Sequence, residues 1–518
     1  MRGLIALAAL ALCLAATGAF AQTYTVLHNF SGGPTDGQYP DGGVVSDGVK
    51  LYGITTNGGA NSSGILYAMN LDGSGFTILN SFSDYTYTNG GLALSNGVLY
   101  GTTRDNSLGA LYSIKTDGTA YTALLWSYSG AGERSPVVVS GDMIYGLTSA
   151  GGTTSDGTAY SIKTDGSAYT VAYNFAGSPL DGSSPWGGLL LENGTLYGAT
   201  SWGGSYLSEA GTLFSMSPDG STHTILHDFS GPDGAQPVGG LVSDGSRLYG
   251  LTLSGGANGG AYFGYGGGTI FAVDKNGANF QTLHDFSLDT AAEPQGSKRL
   301  NNNLFCTGLT RDGTRLYGTT SSGGRVNALN GIAGMDAGAI FTLNTDGTGY
   351  TKLYRFDGLI EGTGSFPTGT LLLSNGTLYG ATLAGGPEDM GVVYSYAVPP
   401  APPVDLTANK TTFFTTDWIA VRANISVIST PCYLFVRIVM PNGQTLYYER
   451  GVGFMASPTP YLGFPGTTTV AAPIWDYPIL DTQFRGIATG VYYLEGGAID
   501  AATGQYVGTV DRETLIVQ

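Results

Sequence analysis

One short phrase recurs seven times along this chain, and it constrains the fold more than any other feature. The copies are Leu51-Tyr52-Gly53, Leu99-Tyr100-Gly101, Ile144-Tyr145-Gly146, Leu196-Tyr197-Gly198, Leu248-Tyr249-Gly250, Leu316-Tyr317-Gly318 and Leu378-Tyr379-Gly380. Their spacing of roughly 45 to 68 residues is that of a repeat architecture in which each unit is one supersecondary element. Three further segments accompany each copy. In the fourth repeat they are Gly187-Gly188-Leu189-Leu190-Leu191 before the phrase, then Gly211-Thr212-Leu213-Phe214 and Thr224-Ile225-Leu226-His227-Asp228-Phe229 after it. All four are short, and several alternate apolar with polar residues, as small antiparallel strands do. We label them A, B (the Leu-Tyr-Gly strand), C and D.

The connections fall into two classes. A–B links carry Asp47-Gly48, Asn96-Gly97, Asn193-Gly194, Asp244-Gly245, Asp312-Gly313 or Asn375-Gly376, and C–D links carry pairs such as Asp72-Gly73 and Asp219-Gly220. Asn-Gly and Asp-Gly favour two-residue hairpins, because both central residues accept positive φ. The B–C and D–A links are long and variable. One face of each four-stranded unit therefore holds plain hairpins and the other holds long loops, where function concentrates.

The ends of the repeat region predict closure. A D-type segment, Tyr24-Thr25-Val26-Leu27-His28-Asn29-Phe30, precedes the first A strand. The last C strand, Gly391-Val392-Val393-Tyr394, has no D strand after it. Pairing the two completes a seventh unit and removes open sheet edges. The predicted fold is all-β: a seven-bladed β-propeller over residues 22–397, a proline-rich linker at 398–403, and an immunoglobulin-like β-sandwich over 404–518. The sandwich reading rests on apolar strands such as Tyr433-Leu434-Phe435-Val436, the hairpin pair Asn442-Gly443, and the closing run from Gly490 to Val517.

Residues 1–21 read as a secretory signal peptide, with Arg2, an apolar run from Leu4 to Ala16, and the cleavage pattern Ala19-Phe20-Ala21. Cys13 is removed with it. Cys306 and Cys432 remain, in different predicted domains, and read as unbridged. No later stretch is long and apolar enough to span a membrane as a helix. The formal net charge of -17 argues against nucleic acid and anionic lipid as partners, since both need clustered Lys and Arg.

The phrases Leu196-Tyr197-Gly198-Ala199-Thr200, Gly203-Gly204, Gly211-Thr212-Leu213-Phe214, Asp219-Gly220 and Leu226-His227-Asp228-Phe229 recur in fixed order. In this the chain resembles the GloVer tandem repeats of secreted bacterial proteins, over about residues 23–397. The resemblance implies an exported, propeller-like protein of a family often tied to surface anchoring, and it transfers no catalytic residues. No sorting motif or hydrophobic tail follows the last strand.

Candidate chemistry is sparse. His28, His227 and His284 share one position on strand D, which reads as packing or a hydrogen-bonded tip, and His223 lies near the Asp219-Gly220 hairpin. No two histidines stand at metal-ligand spacing, so zinc is not expected. No cofactor is expected either; calcium is the weaker reading of the D–A loop acids Asp36, Asp41, Asp181, Asp233 and Glu361. The repeat itself yields one further set. Ten residues before each phrase stand Asp41, Asn89, Arg134, Trp186, Val238, Cys306 and Thr368. Seven different side chains at a repeated position imply no shared packing role, so they are expected to ring the mouth of the central channel and bind ligand. Trp202 adds an aromatic surface nearby. The expected function is a non-catalytic binding or adhesion protein for a glycan or an extracellular protein. The alternatives are an extracellular carbohydrate-active hydrolase or lyase, and a structural envelope or matrix protein.

Overall fold

A computed structural model describes residues 24–83, 86–88, 90–105, 108–127, 136–204, 210–257, 267–286, 308–321, 337–356 and 362–398, and, beyond these, the backbone of strands between 404 and 517. The expected signal peptide at 1–21, the linker residues 399–403, and Asn89, Arg134, Cys306 and Glu361 lie outside the described residues. Contacts divide the chain into a compact unit, Thr23–Ala397, and a second that contains Val398–Gln518.

The first unit is a seven-bladed β-propeller, and no helix occurs among the described residues. Strands A to D of blade 1 are Gly37–Ser46, Lys50–Gly58, Ile65–Asn70 and Thr77–Ser81. Blade 4 follows the same order with Leu190–Glu192, Thr195–Thr200, Thr212–Met216 and His223–Asp228, and a two-stranded extension pairs Gly182–Ser183 with Trp202–Gly203. Blades 2, 3, 5 and 6 are built around the B strands Val98–Asp105, Met143–Thr148, Arg247–Ser254 and Arg315–Thr320. Blade 7 takes A, B and C from Ser365–Ser374, Thr377–Ala384 and Val392–Ala397, and its D strand is Tyr24–Asn29. Tyr24 pairs with Tyr396 and Asn29 with Val392, so the ring closes as the strand offset predicts.

Each residue of the repeated phrase has its own task, because successive side chains on a strand face opposite sides. Leu51 packs toward blade 7, in a cluster with Tyr379 and Val393, while Tyr52 and Ile54 pack toward blade 2 with Leu92, Leu99 and Tyr112. The core thus lies in the seams between blades. The glycine makes room for the aromatic ring of strand C: a Cβ on Gly198 would stand 2.5 Å from Cζ of Phe214, and one on Gly318 would stand 2.5 Å from Cζ of Phe341. Two residues on, a threonine ties strand B to strand C. The Thr200 hydroxyl donates to the Trp202 carbonyl (2.9 Å) and accepts from the Thr212 amide (3.2 Å), and Thr252 and Thr382 repeat the arrangement.

The turns divide more finely than the sequence predicts. In the A–B turns Asn96-Gly97, Asn193-Gly194 and Asn375-Gly376 both residues have positive φ, as a type I′ hairpin requires. In Asp47-Gly48 and Asp244-Gly245 only the glycine does. There the aspartate caps the turn instead: Asp47 accepts from the Val49 and Lys50 amides, and Asp244 from those of Ser246 and Arg247.

A second set of contacts ties the blades together at their outer edge. The ring at one position of strand D stacks on an aromatic or histidine at or just before the start of strand D in the next blade. The pairs are His28 on Phe76 (4.0 Å), Tyr173 on His223 (4.0 Å), His227 on Phe280 (3.7 Å), His284 on Tyr350 (3.9 Å) and Tyr354 on Tyr24 (4.0 Å), all within 14° of parallel. All four histidines of the chain are therefore seam residues.

The second unit is described by its backbone. Val404–Ala408, Trp418–Ile425 and Ile474–Gln483 form a three-stranded sheet. A larger sheet runs in the order Thr412–Phe413, Asp511–Val517, Gly490–Asp500, Ile428–Val439, Thr445–Glu449, Gly453–Met455, and its first pair is parallel.

Candidate functional site

The long-loop face is shaped by what happens as the chain enters strand A. In four blades a residue with positive φ precedes a proline: Tyr39-Pro40, Ser184-Pro185, Gln236-Pro237 and Phe366-Pro367. The amide of that residue donates to a carbonyl of the preceding blade, from Tyr39 to Met390 (2.8 Å), Ser184 to Asp156 (2.8 Å), Gln236 to Ala210 (2.7 Å) and Phe366 to Ala337 (2.9 Å). The proline then packs where a Cβ on Gly391, Gly157, Gly211 or Gly338 of that blade would be, 2.5 to 2.7 Å from its Cδ. One residue later stands the variable position: Asp41, Trp186, Val238 or Thr368.

After it the chain passes through small residues that press against their counterparts in the next blade. A methyl on Gly42 would strike the Gly90 carbonyl, one on Gly187 the Gly239 carbonyl, and one on Gly369 the backbone of Gly43. Gly91 and Gly188 both meet Pro136, and Gly308 meets Gly240 on one side and the Thr370 hydroxyl on the other. Every neighbouring pair of blades is joined in this way, by backbone against backbone or by a glycine against Pro136 or Thr370.

Four members of the variable ring lie among the described residues: Asp41, Trp186, Val238 and Thr368. Asp41, Val238 and Thr368 lie opposite Ile54, Leu251 and Ala381 of strand B, and directly opposed residues share a face. Ile54 and Leu251 belong to the cores shared with the following blade. Val238 and Thr368 are buried, at 3% and 2% exposure, and the Thr368 hydroxyl donates to the Pro40 carbonyl across the seam that closes the ring (3.2 Å). Asp41 is half-buried and its carboxylate caps the Gly42 amide (2.8 Å); Trp186 is half-buried between Pro185 and Gly187. The described members of the set thus stand one to a seam, and two of them do have packing roles.

The D–A loop acids also have structural work. Asp36 accepts from the Ser31 amide and hydroxyl, the Gly37 amide and His28 Nε2 (2.7–3.1 Å). Asp233 accepts from the Ser230 amide and hydroxyl and His227 Nε2 (2.8–2.9 Å). Asp181 accepts from the Ala176 and Gly182 amides and the Tyr173 hydroxyl (2.7–3.0 Å). Burial works to raise the pKa of Asp36 and Asp233, but hydrogen bonds led by those from His28 and His227 outweigh it, and both titrate below the usual carboxylate range. The recurrence of one arrangement in three loops, with tyrosine replacing histidine in one, marks these Asp–His pairs as loop caps. Asp36 accepts four such hydrogen bonds, and Asp181 and Asp233 accept three each. Among the described residues no three His, Cys, Asp or Glu side chains gather as a metal-binding group.

One corner of the long-loop face differs from the rest. In the loop from blade 3 to blade 4, Leu180 is 84% exposed. The loop that presents it is held by the Asp181 carboxylate, by Asp181 N to Gly177 O (2.9 Å) and by Gly177 N to Gly182 O (3.1 Å). It is also stitched to the start of the B–C loop: Ser183 pairs with Trp202, and the Gly204 amide donates to the Asp181 carbonyl (2.8 Å). Leu180 and the half-buried Trp202 therefore belong to one fixed corner of blade 4. Sequence reasoning singled out Trp202 and passed over Leu180. The available signal was an apolar residue inside an otherwise polar and glycine-rich D–A loop.

Among curated proteins no relative matches the chain. Among solved structures, an oligogalacturonate lyase in complex with manganese matches at a TM-score of 0.46 and 15% identity, covering 75% of this chain and 95% of that one. An oligogalacturonate lyase from Vibrio parahaemolyticus matches at 0.44 and 13%, covering 74% and 96%. A GH74 enzyme of Niastella koreensis matches at 0.43 and 14%, covering 94% and 74%. Residues 133–328, which carry the Leu-Tyr-Gly phrases of blades 3 to 6, match the Gloeobacter/Verrucomicrobia repeat family, the family whose repeats these phrases resemble.

Proposed function

We propose that this is an exported, non-catalytic binding protein whose long-loop face engages a glycan or an extracellular protein at the corner formed by Leu180 and Trp202. The observation that carries the reading is Leu180 itself. A leucine at 84% exposure adds nothing to the core, yet the backbone on either side of it is held by hydrogen bonds and strand pairings. An apolar anchor that is ordered before binding, beside an aromatic side chain, loses little entropy on contact and supplies most of an interface's free energy.

The rest of the chain fits this role. The signal-like residues 1–21 would direct export. Residues 404–518 would form an immunoglobulin-like sandwich acting as spacer or second contact module. Its strand order supports that: Thr412–Phe413 pairs in parallel with the last strand, and Val404–Ala408 of the small sheet lies against Gly490–Asp500 and Asp511–Val517 of the large one. The net charge of -17 disfavours polyanionic ligands. The reading needs no cofactor.

The test is retention of the purified mature chain on a polysaccharide panel and on cell envelopes, with protease and periodate treatment separating protein from glycan ligands. Leu180→Asp and Trp202→Ala are expected to cut retention at least about tenfold, a loss of roughly 1.4 kcal/mol, with unchanged melting temperature. Retention that survives both substitutions sinks the assignment of this corner. Release of new sugar ends from the panel sinks the non-catalytic reading.

A further inference from the structure

The loop that carries Leu180 is held differently from its counterparts, and the difference lies in one histidine. In the seams between blades 7 and 1 and between blades 4 and 5, strand D supplies a histidine that touches the loop aspartate directly. His28 meets Asp36 and His227 meets Asp233, and each ring stacks on a phenylalanine of the next blade, Phe76 or Phe280. In the seam between blades 3 and 4 the roles are exchanged. Tyr173 on strand D donates to Asp181, and the ring stacked on it from the next blade is His223.

His223 is enclosed by aromatic surface: the face of Tyr173 at 4.0 Å, Phe214 at 5.4 Å and the edge of Phe175 at 5.9 Å. Its Nε2 is buried and has no partner among the described residues. The charge that acts on it is Asp181, on the far side of Tyr173. The Tyr173 phenol is the titratable group in contact with it, and its own pKa is pushed up to about 12 by burial and by Asp181. Asp219, in the hairpin leading to His223, is fully exposed and holds Ser217 and Ser221; His227, further along the strand, is engaged by Asp233. Burial lowers the pKa of His223 below the ordinary histidine value, and the Asp181 charge works against that shift.

We propose that His223 is an acid-operated latch on the loop 176–182: when protonated it draws the Asp181 carboxylate away from the amides that hold the loop, and when neutral it leaves them bound. The imidazolium would carry a buried N–H with no acceptor, and the nearest opposite charge is the carboxylate that holds Ala176 N (3.0 Å) and Gly182 N (2.7 Å). Turning toward the imidazolium lengthens those two bonds and frees Leu180 to move. What the latch would control rests on the reading of Leu180 and Trp202 as the binding corner. The latch itself is read out without ligand.

The test is amide hydrogen exchange on the full chain from pH 7.5 to 5.0, with rates corrected for intrinsic exchange. Protection at Ala176 and Gly182 is expected to fall by up to about tenfold per pH unit as pH drops from the ordinary histidine value, 6.5, toward the lower His223 value, and to level off below it. Protection at Ser31 and Ser230, in the corresponding loops, is recorded alongside as a control. In His223→Phe, and in His223→Tyr as a second variant, the fall should vanish; Phe280 and Tyr350 already occupy the equivalent position in blades 5 and 6. Protection at Ala176 and Gly182 that is flat with pH in the wild type, or that falls equally in both variants, overturns the latch.

Discussion

The phenol ring of Tyr67 occupies the space that a side chain on Gly53 would need. Gly53 has an ordinary backbone conformation, so the glycine is there for room and not for φ. Gly53→Ala should therefore act as overpacking, lowering stability by about 2 kcal/mol. Combining it with Tyr67→Leu, which vacates the space, should recover most of that difference. Chemical denaturation of the two variants checks this. A Gly53→Ala protein as stable as the wild type would mean that the ring yields freely.

The same ring supports a second expectation. The hydroxyls of Tyr67, Tyr112 and Tyr394 are buried and have no partner among the described residues. Burial pushes all three phenols far above the usual range. Blades 4, 5 and 6 place Phe214, Phe271 and Phe341 at this position. Replacing each tyrosine by phenylalanine removes an unpaired polar atom, and should leave stability unchanged or raise it by about 1 kcal/mol per site. A clear loss at any site would reveal a hydroxyl partner such as a bound water.

A pH dependence follows from the A–B turn of blade 5. Burial works to raise the pKa of Asp244, but the Arg247 amide, the Tyr249 hydroxyl, and the amide and hydroxyl of Ser246 hold it well below the carboxylate range. A carboxyl whose folded pKa is depressed stabilises above its unfolded value, near 3.8, and loses that contribution as pH falls through the folded value. Asp244→Asn should cost about 1 kcal/mol at pH 7, after allowance for solvent screening, and its penalty should shrink below about pH 4. Parallel melts at pH 7 and pH 3 test the sign. A penalty that grows on acidification would contradict it.

The fold was legible because its information is local and repeated. Leu196-Tyr197-Gly198 marks strand B, Asn193-Gly194 marks the hairpin before it, and the orphan D strand at Tyr24 announces closure. The candidate site was less legible because it depends on which way a strand faces at a bulge. Between Thr368 and Leu372 the register shifts, and Thr368 is buried with its hydroxyl on the Pro40 carbonyl of blade 1. Counting residues back from the phrase locates that position correctly and says nothing of its direction. Leu180 was invisible for a related reason. Its loop is placed by contacts distant in sequence, such as the Gly204 amide on the Asp181 carbonyl and the pairing of Ser183 with Trp202.

The clasp formed by Tyr24–Asn29 in blade 7 also sets an order of events. The first strand to be made is the last to find its place, since its partner Val392–Ala397 is the final strand of the repeat region. Until nearly four hundred residues have been synthesised, that strand must wait as an uncommitted apolar segment, and six blades can assemble before the ring is sealed. Closing so long a loop costs little more than closing a short one, because the entropy grows only with the logarithm of its length. The delay falls on folding rate, where distant pairings are slow. An unsealed ring stays extensible until its last strand has arrived.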